Sequence, residues 1–171
     1  SSGQIQLHPT NFDICEMIRL NILEFESRIE EKNMSVDVAF EQDIMNVTAD
    51  QDNITQVIYN LLDNACKYGM ENGVIRVSVV HENTKTRVSV ANSGKDIPPD
   101  MLPYIFDRFY KTDQSRGMDS NSMGLGLFIV KSILHMHGED IQATSRDGVT
   151  TFTFTLPTAS EKQTGQTGRH S

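Results

Sequence analysis

Apolar residues recur at every third or fourth position in three stretches of this chain and at every second position in several shorter ones. Between residues 12 and 32, Ile14, Ile18, Ile22, Phe25 and Ile29 share one stripe, which predicts a single amphipathic helix ended by Asn33. Between 51 and 68 the stripe is Ile54, Val57, Ile58, Leu61, Leu62 and Ala65, with Asp50 as the N-cap. Between 125 and 137 it is Leu127, Phe128, Val130, Ile133 and Leu134. Alternation predicts strands at 36–40, at 74–81 with 86–91, and at 141–145 with 150–156, the last four as two hairpins. A short edge strand is expected at 5–7 and a helix-capping turn at 8–11. A turn with a short extended piece is expected at 43–47, a Gly/Pro turn at 93–100, and a short helix at 101–109. Residues 110–123 are polar and carry no apolar period, which marks a functional loop. The order mixes helices with antiparallel hairpins and shows no internal repeat. It predicts an α+β two-layer sandwich, with a mixed, largely antiparallel sheet and three main helices on one face. Residues 1–157 form the one predicted domain, and the polar stretch 158–171 is expected to be a disordered tail.

Composition narrows the function classes. Hydrophobic residues make up 37% and charged residues 22% of the 171, a globular balance. No apolar run approaches the roughly 18–20 residues that span a bilayer, and no signal segment opens the chain, so a soluble cytosolic domain is expected. The formal net charge of −8 argues against nucleic acid as a partner. Cys15 and Cys66 have no cysteine or histidine at ligand spacing, which points to buried thiols rather than a disulfide or metal site.

Four short segments carry candidate chemistry. Asn60, Asn64 and Lys67 fall at i, i+4 and i+7 of the second helix, on a stripe beside its apolar face. An amide oxygen is a hard ligand suited to Mg²⁺, an ammonium suits phosphate, and Tyr68 could lay its ring near a base. Asn92-Ser93-Gly94-Lys95-Asp96-Ile97 follows a strand directly, where a polar side chain can read a ligand edge and Gly94 admits close backbone approach. Ile105-Phe106-Asp107-Arg108-Phe109-Tyr110-Lys111 sets aromatics and cations before the polar loop. Gly124-Leu125-Gly126-Leu127 opens the third helix, where free N–H groups and the helix dipole favour phosphate. Each has an ordinary reading alone: a polar helix edge, a Gly-Pro turn, core phenylalanines with surface charges, a helix start.

Their succession resembles the catalytic domain of bacterial sensor histidine kinases, over roughly residues 6–156. The string Gln56 to Tyr68 looks like that family's N box, Asn92 to Ile97 its first glycine box, Leu102 to Tyr110 its F box, and Gly124 to Leu127 its second glycine box. The resemblance implies a Bergerat-type ATP-binding fold within the gyrase, chaperone and histidine kinase ATPase superfamily. It implies ATP and Mg²⁺ as cofactors, with Asn64 on the metal and Asn60 supporting it one turn earlier. Lys67, Arg108 and Lys111 would meet phosphates, with Asn60, Lys67 and Arg108 nearest the transfer. Tyr68 would pack near adenine, Asn92 would bond its amino group, and residues 110–123 would form the lid. Gly94, Ile97, Phe109, Gly124, Leu125, Gly126 and Leu127 complete the implied nucleotide-binding set.

Three departures from that pattern stand out. Asn92 replaces the usual Asp and could donate as well as accept, which would loosen the choice of ATP over GTP. Asp96 and Ser122 stand where the pattern has glycines, so the turn is altered and a stiffer lid is expected. No acceptor histidine is present: none of His8, His81, His135, His137 and His170 has the family's hairpin context. The implied function is therefore donation of the γ-phosphate of Mg-ATP to a histidine on a dimerising helical hairpin that this chain lacks. A response regulator follows indirectly, with a monomeric fragment and a homodimeric parent anchored in the cell membrane. Three alternatives remain: a degenerate module that acts by protein binding, a serine kinase of the anti-sigma-factor type, and a water-directed ATPase like the gyrase B subunits and chaperones, which would need a Glu where Asn60 stands.

Overall fold

The computed structural model describes residues 6–110 and 125–160. A five-stranded sheet has the order β2-β4-β5-β7-β6, from Ser35–Phe40 (β2), Val74–Glu82 (β4), Lys85–Ser93 (β5), Ile141–Arg146 (β6) and Val149–Pro157 (β7). Only β2 and β4 run parallel; the other neighbours are antiparallel. A second, two-stranded sheet pairs Pro9–Asp13 (β1) with Asn46–Asp50 (β3). The helices are Ile14–Glu24 (α1), Glu26–Glu31 (α2), Gln51–Tyr68 (α3) and Gly126–Met136 (α4). One apolar core joins the inner face of the large sheet, through Ile75, Val77, Val88, Val90, Phe152 and Phe154, to Ile18, Ile54, Leu61, Leu62 and Leu134 of the helices. This is the α+β sandwich that the sequence pattern predicts.

Four local expectations fail, each for a physical reason. The first helix is two helices, because Phe25 leaves helical geometry (φ −100°, ψ 6°) and turns inward to lie 5.0 Å from the Tyr59 ring. That break re-aims α2 so that Arg28 reaches Asp63 of α3 at 2.6 Å. The N-terminal strand is Pro9–Asp13 rather than 5–7, and the predicted turn at 8–11 does not form. Only Phe12 of β1 is buried, so the strand is made by pairing with β3 and leaves little alternation to read. The cap of α1 is Asp13, whose Oδ1 accepts from Cys15 N–H at 3.0 Å and from Met45 N–H at 2.9 Å. The short helix at 101–109 is one 3-10 turn, Leu102–Tyr104, followed by separate turns, with Phe109 at φ 65°.

The two cysteines are buried free thiols, and burial pushes Cys15 up to about 11 and raises Cys66 as well. Thr158 and Ala159 continue past β7: their N–H groups donate to Thr84 O and Asn46 O at 3.0 and 2.9 Å, which ties the large sheet to the small one.

Both ends of α3 are capped by charged side chains. At its start Asp50 Oδ1 accepts from Asn53 N–H at 3.1 Å. At its end the Lys32 ammonium donates to the carbonyls of Cys66, Lys67 and Gly69 at 2.7, 3.0 and 2.9 Å. Those carbonyls carry the negative end of the helix dipole, so a cation there satisfies orphan acceptors and stabilises the charge at once. Lys32→Met should therefore lower stability by about 2 kcal/mol in urea denaturation, with the m-value unchanged. A change below about 0.5 kcal/mol would show that water serves those carbonyls equally well.

Candidate functional site

The polar stripe of α3 exists because the helix buries only one side. Ile54, Val57, Ile58, Leu61, Leu62, Ala65 and Cys66 are buried, while Asn60, Asn64, Lys67 and Tyr68 lie half-buried along the margin. Both polar atoms of Asn60 are engaged: its Nδ2 donates to Gly126 O at 3.2 Å and its Oδ1 accepts from Gln56 Nε2 at 2.8 Å. The first bond brings the start of α4 onto the stripe. Asn64, one turn later, makes no side-chain hydrogen bond among the described residues. Lys67 Nζ lies 3.4 Å from Asp63, which also binds Arg28, so the carboxylate steadies a cation beside the stripe.

Among the described residues no side chain caps the start of helix α4, and its first turn holds no acid. A Cβ built on Gly126 meets no described atom within 4 Å, so among the described residues the glycine leaves open space at a positively polarised helix end. Leu127 turns the other way and packs on the core, and Leu125 is half-buried.

The end of β5 forms the opposite side. Gly94 is obligatory there for packing, because a Cβ would sit 2.6 Å from Tyr68 O. Its N–H donates to Gly148 O at 2.9 Å, and Asp96 Oδ1 accepts from Gly148 N–H at 2.9 Å. The altered position 96 thus serves as a side-chain clamp on the β6–β7 turn. Asn92 is buried, with Nδ2 donating to Ser93 O at 3.3 Å. A carbonyl only accepts, so this contact orients the amide and leaves Oδ1 without a hydrogen bond among the described residues. Ile97 packs on the core, and its N–H donates to Ser145 Oγ at 2.8 Å.

Sequence reading missed Ser145 and Thr150. Both are buried, their hydroxyls are 2.7 Å apart, and Thr150 faces Asn92 across the β5–β7 register. The available signal was a polar residue inside an otherwise apolar alternation: Thr150 precedes Phe152, Phe154 and Leu156, and Asn92 follows Val88 and Val90.

The F-box residues part company. Phe106 is an inner packing residue, edge-on to Phe152 at 6.1 Å between ring centres. Arg108 lies over the Phe128 ring of α4 at 4.6 Å, and Phe109 is exposed. With Pro103, Phe106, Phe128, Lys131 and His135, Arg108 lines a cavity of about 350 Å³ that includes none of the α3 stripe. The structure therefore brings Asn60, Gly126 and Gln56 into contact, sets Asn64 and Lys67 beside them, and places Arg108 against α4. Lys111 and Gly124 lie outside the described residues. Among the described residues no three His, Cys, Asp or Glu side chains could together hold a metal ion. No helix among them is long and apolar enough to cross a membrane.

Comparison with known proteins gives one family. Residues 49–160 match the model of the histidine kinase-, DNA gyrase B-, and HSP90-like ATPases. The chain is 36% identical over 154 residues to the sensor histidine kinase WalK of Bacillus subtilis (strain 168), covering 88% of this chain and 23% of WalK. It spans between 14% and 42% of the length of other curated relatives. The catalytic domain of histidine kinase ThkA superposes with a TM-score of 0.79 at 33% identity, covering 89% of this chain and 97% of that one. ThkA in complex with the response regulator protein TrrA gives 0.77 at 32% identity, covering 94% and 45%. Full-length ShkA in complex with AMPPNP gives 0.80 at 26% identity, covering 91% and 32%. The chain belongs to the histidine kinase-, DNA gyrase B- and HSP90-like ATPase family, and its fold is that of a histidine kinase catalytic domain.

Proposed function

We propose that the chain binds Mg-ATP between α3, the end of β5 and the start of α4, and donates the γ-phosphate to a histidine on a helical hairpin of its parent protein. The observation that carries this reading is the Asn60–Gly126 bond, which seats the start of α4, capped by no described side chain, on the Asn-Asn-Lys stripe. The ShkA complex supports the nucleotide and the ThkA complex supports a response regulator downstream. Membrane anchoring of the parent follows only from its being a sensor kinase.

The donor set suits magnesium. Among the described residues Asn64 offers one uncommitted amide oxygen and no cage of carboxylates surrounds it, which fits an ion that keeps its waters and takes its remaining ligands from phosphates. When bound, the metal supplies neutralisation of phosphate charge. The chain's own residues position the rest. Lys67 lies beside the phosphate path, the α4 N–H groups point toward it, and Asn60 holds α4 in place. Asn60 also argues against water-directed hydrolysis, because an amide is no general base at neutral pH and both its polar atoms are engaged. A neutral imidazole acceptor needs no such base.

Calorimetric titration with ATP, with and without Mg²⁺, should show metal-dependent binding that weakens about tenfold or more in Asn64→Ala. No binding by the folded chain would overturn the nucleotide reading in favour of a protein-binding module. Because Asn92 turns Nδ2 to Ser93 O, its Oδ1 should act as the acceptor a carboxylate would be. ATP should then bind at least about tenfold more tightly than GTP, whose base presents an acceptor there. Equal affinity would show that the amide turns over to donate, as the sequence alone suggested. Incubated with γ-labelled ATP, the chain should acquire no stable label by itself, whereas added hairpin bearing the acceptor histidine should be labelled. Stable label on the chain alone would refute the acceptor assignment.

A further inference from the structure

We propose that His137, at the C-terminal end of α4, is a positioning residue that fixes the register of α4 against α3 and so places the glycine-rich helix start. The two helices lie antiparallel and are fastened at two points. At one, Asn60 Nδ2 donates to Gly126 O at 3.2 Å; at the other, Asp50 N–H donates to His137 Nε2 at 3.0 Å. The fastenings stand ten residues apart on α3 and eleven apart on α4. At 1.5 Å per residue those spans are about 15 and 16.5 Å, so both bonds close in one register. A slip of one turn, about 5.4 Å, breaks both.

The imidazole is built for this contact. Its Nδ1 lies 2.8 Å from Ile133 O, which can only accept, so Nδ1 carries the proton and Nε2 keeps the lone pair that Asp50 N–H needs. The ring is held by its own helix end. Gly138 takes φ +73°, its N–H donates to His135 O, and Glu139 N–H donates to Leu134 O. That is a Schellman ending, which leaves His137 as the cap residue directed at its neighbour. The point it hooks is a junction. Asp50 caps α3 through Oδ1 and accepts His8 N–H through Oδ2 at 3.0 Å, so β1, α3 and α4 meet at one buried residue. Without His137 the Asp50 N–H becomes a buried donor with no partner. The register matters for chemistry because residues 125–127 supply the backbone opposite the α3 stripe; only this step rests on the nucleotide reading above.

The test uses the whole chain with His137→Leu and His137→Gln. Leucine fills the space without an acceptor, and the glutamine carbonyl can reach the place of Nε2. In His137→Leu, hydrogen exchange at the Asp50 amide and in the first turn of α4 should quicken about tenfold without nucleotide, while β4 and β5 stay protected. The Mg-ATP dissociation constant should rise about tenfold, and His137→Gln should restore both to within about threefold. Unchanged or uniformly faster exchange, or failure of glutamine to rescue, would overturn the proposal. Local exchange changes with unaltered Mg-ATP affinity would refute its bearing on the site. If the unsubstituted chain binds no Mg-ATP, the nucleotide reading fails and exchange alone decides the register claim. Should the leucine variant not fold, nitrogen-15 NMR of the native imidazole decides: a protonated Nδ1 with a bare Nε2 is expected, and the other tautomer overturns the assignment.

Discussion

A helix that must bury one side in a core and offer polar residues at its margin needs fixed ends. Helix α3 meets that demand with charge at both. Asp50 takes the N–H of Asn53 in the first turn and Lys32 takes three of the last carbonyls, so the helix is held along its own dipole by an anion and a cation in the favourable order. Lys32 follows directly on α2, so the break at Phe25 is part of the same device: it brings Arg28 and Lys32 to the far half of α3. Everything in the candidate site is measured from that helix. Gly94 packs on its last carbonyl, Gly126 is bonded to its middle, and His137 to its N-cap residue.

The site lies where the apolar core runs out into hydroxyls and amides. Asn92, Ser145 and Thr150 occupy inward positions that a stability-driven sequence would fill with valine. Burying them is tolerable because each has a partner: Ser93 O for Asn92, and for the two hydroxyls each other together with Ile97 N–H. The same bonds join the loop after β5 to β6 and β7, so the polar end of the sheet is a braced wall. Asp96 fits this picture. Where the family pattern has a glycine, the side chain closes on Gly148 N–H and tightens the wall.

Helix α3, both hairpins and α4 were legible because burial on one side writes its period into the sequence. The small sheet was not. Its pairing buries little of β1, and backbone hydrogen bonds leave no residue pattern. The single first helix was an overextension for a related reason: Phe25 keeps the apolar stripe going while its own backbone turns. In the site, the Asn-Asn-Lys stripe followed from helical spacing alone. Arg108 is a different case. Sequence order sets it near the segments that the family resemblance assigns to phosphates, whereas the described structure lays its guanidinium on Phe128. Contacts such as Lys32 to α3 or His137 to Asp50, 87 residues apart, carry no local signal at all.

Net charge gives the last constraint on how such a site can work. A chain of charge −8 repels a polyanion at long range, so attraction must be local and short. Lys67 alone is a modest source, since Asp63 shares its charge. In the proposed site the start of α4 supplies what the side chains lack: several N–H groups that no described side chain caps, next to a glycine whose open side meets no described atom. Partial charges on a backbone act only at hydrogen-bond range and only if the helix end is held in place. That makes the two fastenings of α4 to α3 more than packing. A cationic side chain can swing to find a phosphate, but a helix terminus cannot, and its usefulness depends on the register in which the rest of the fold holds it.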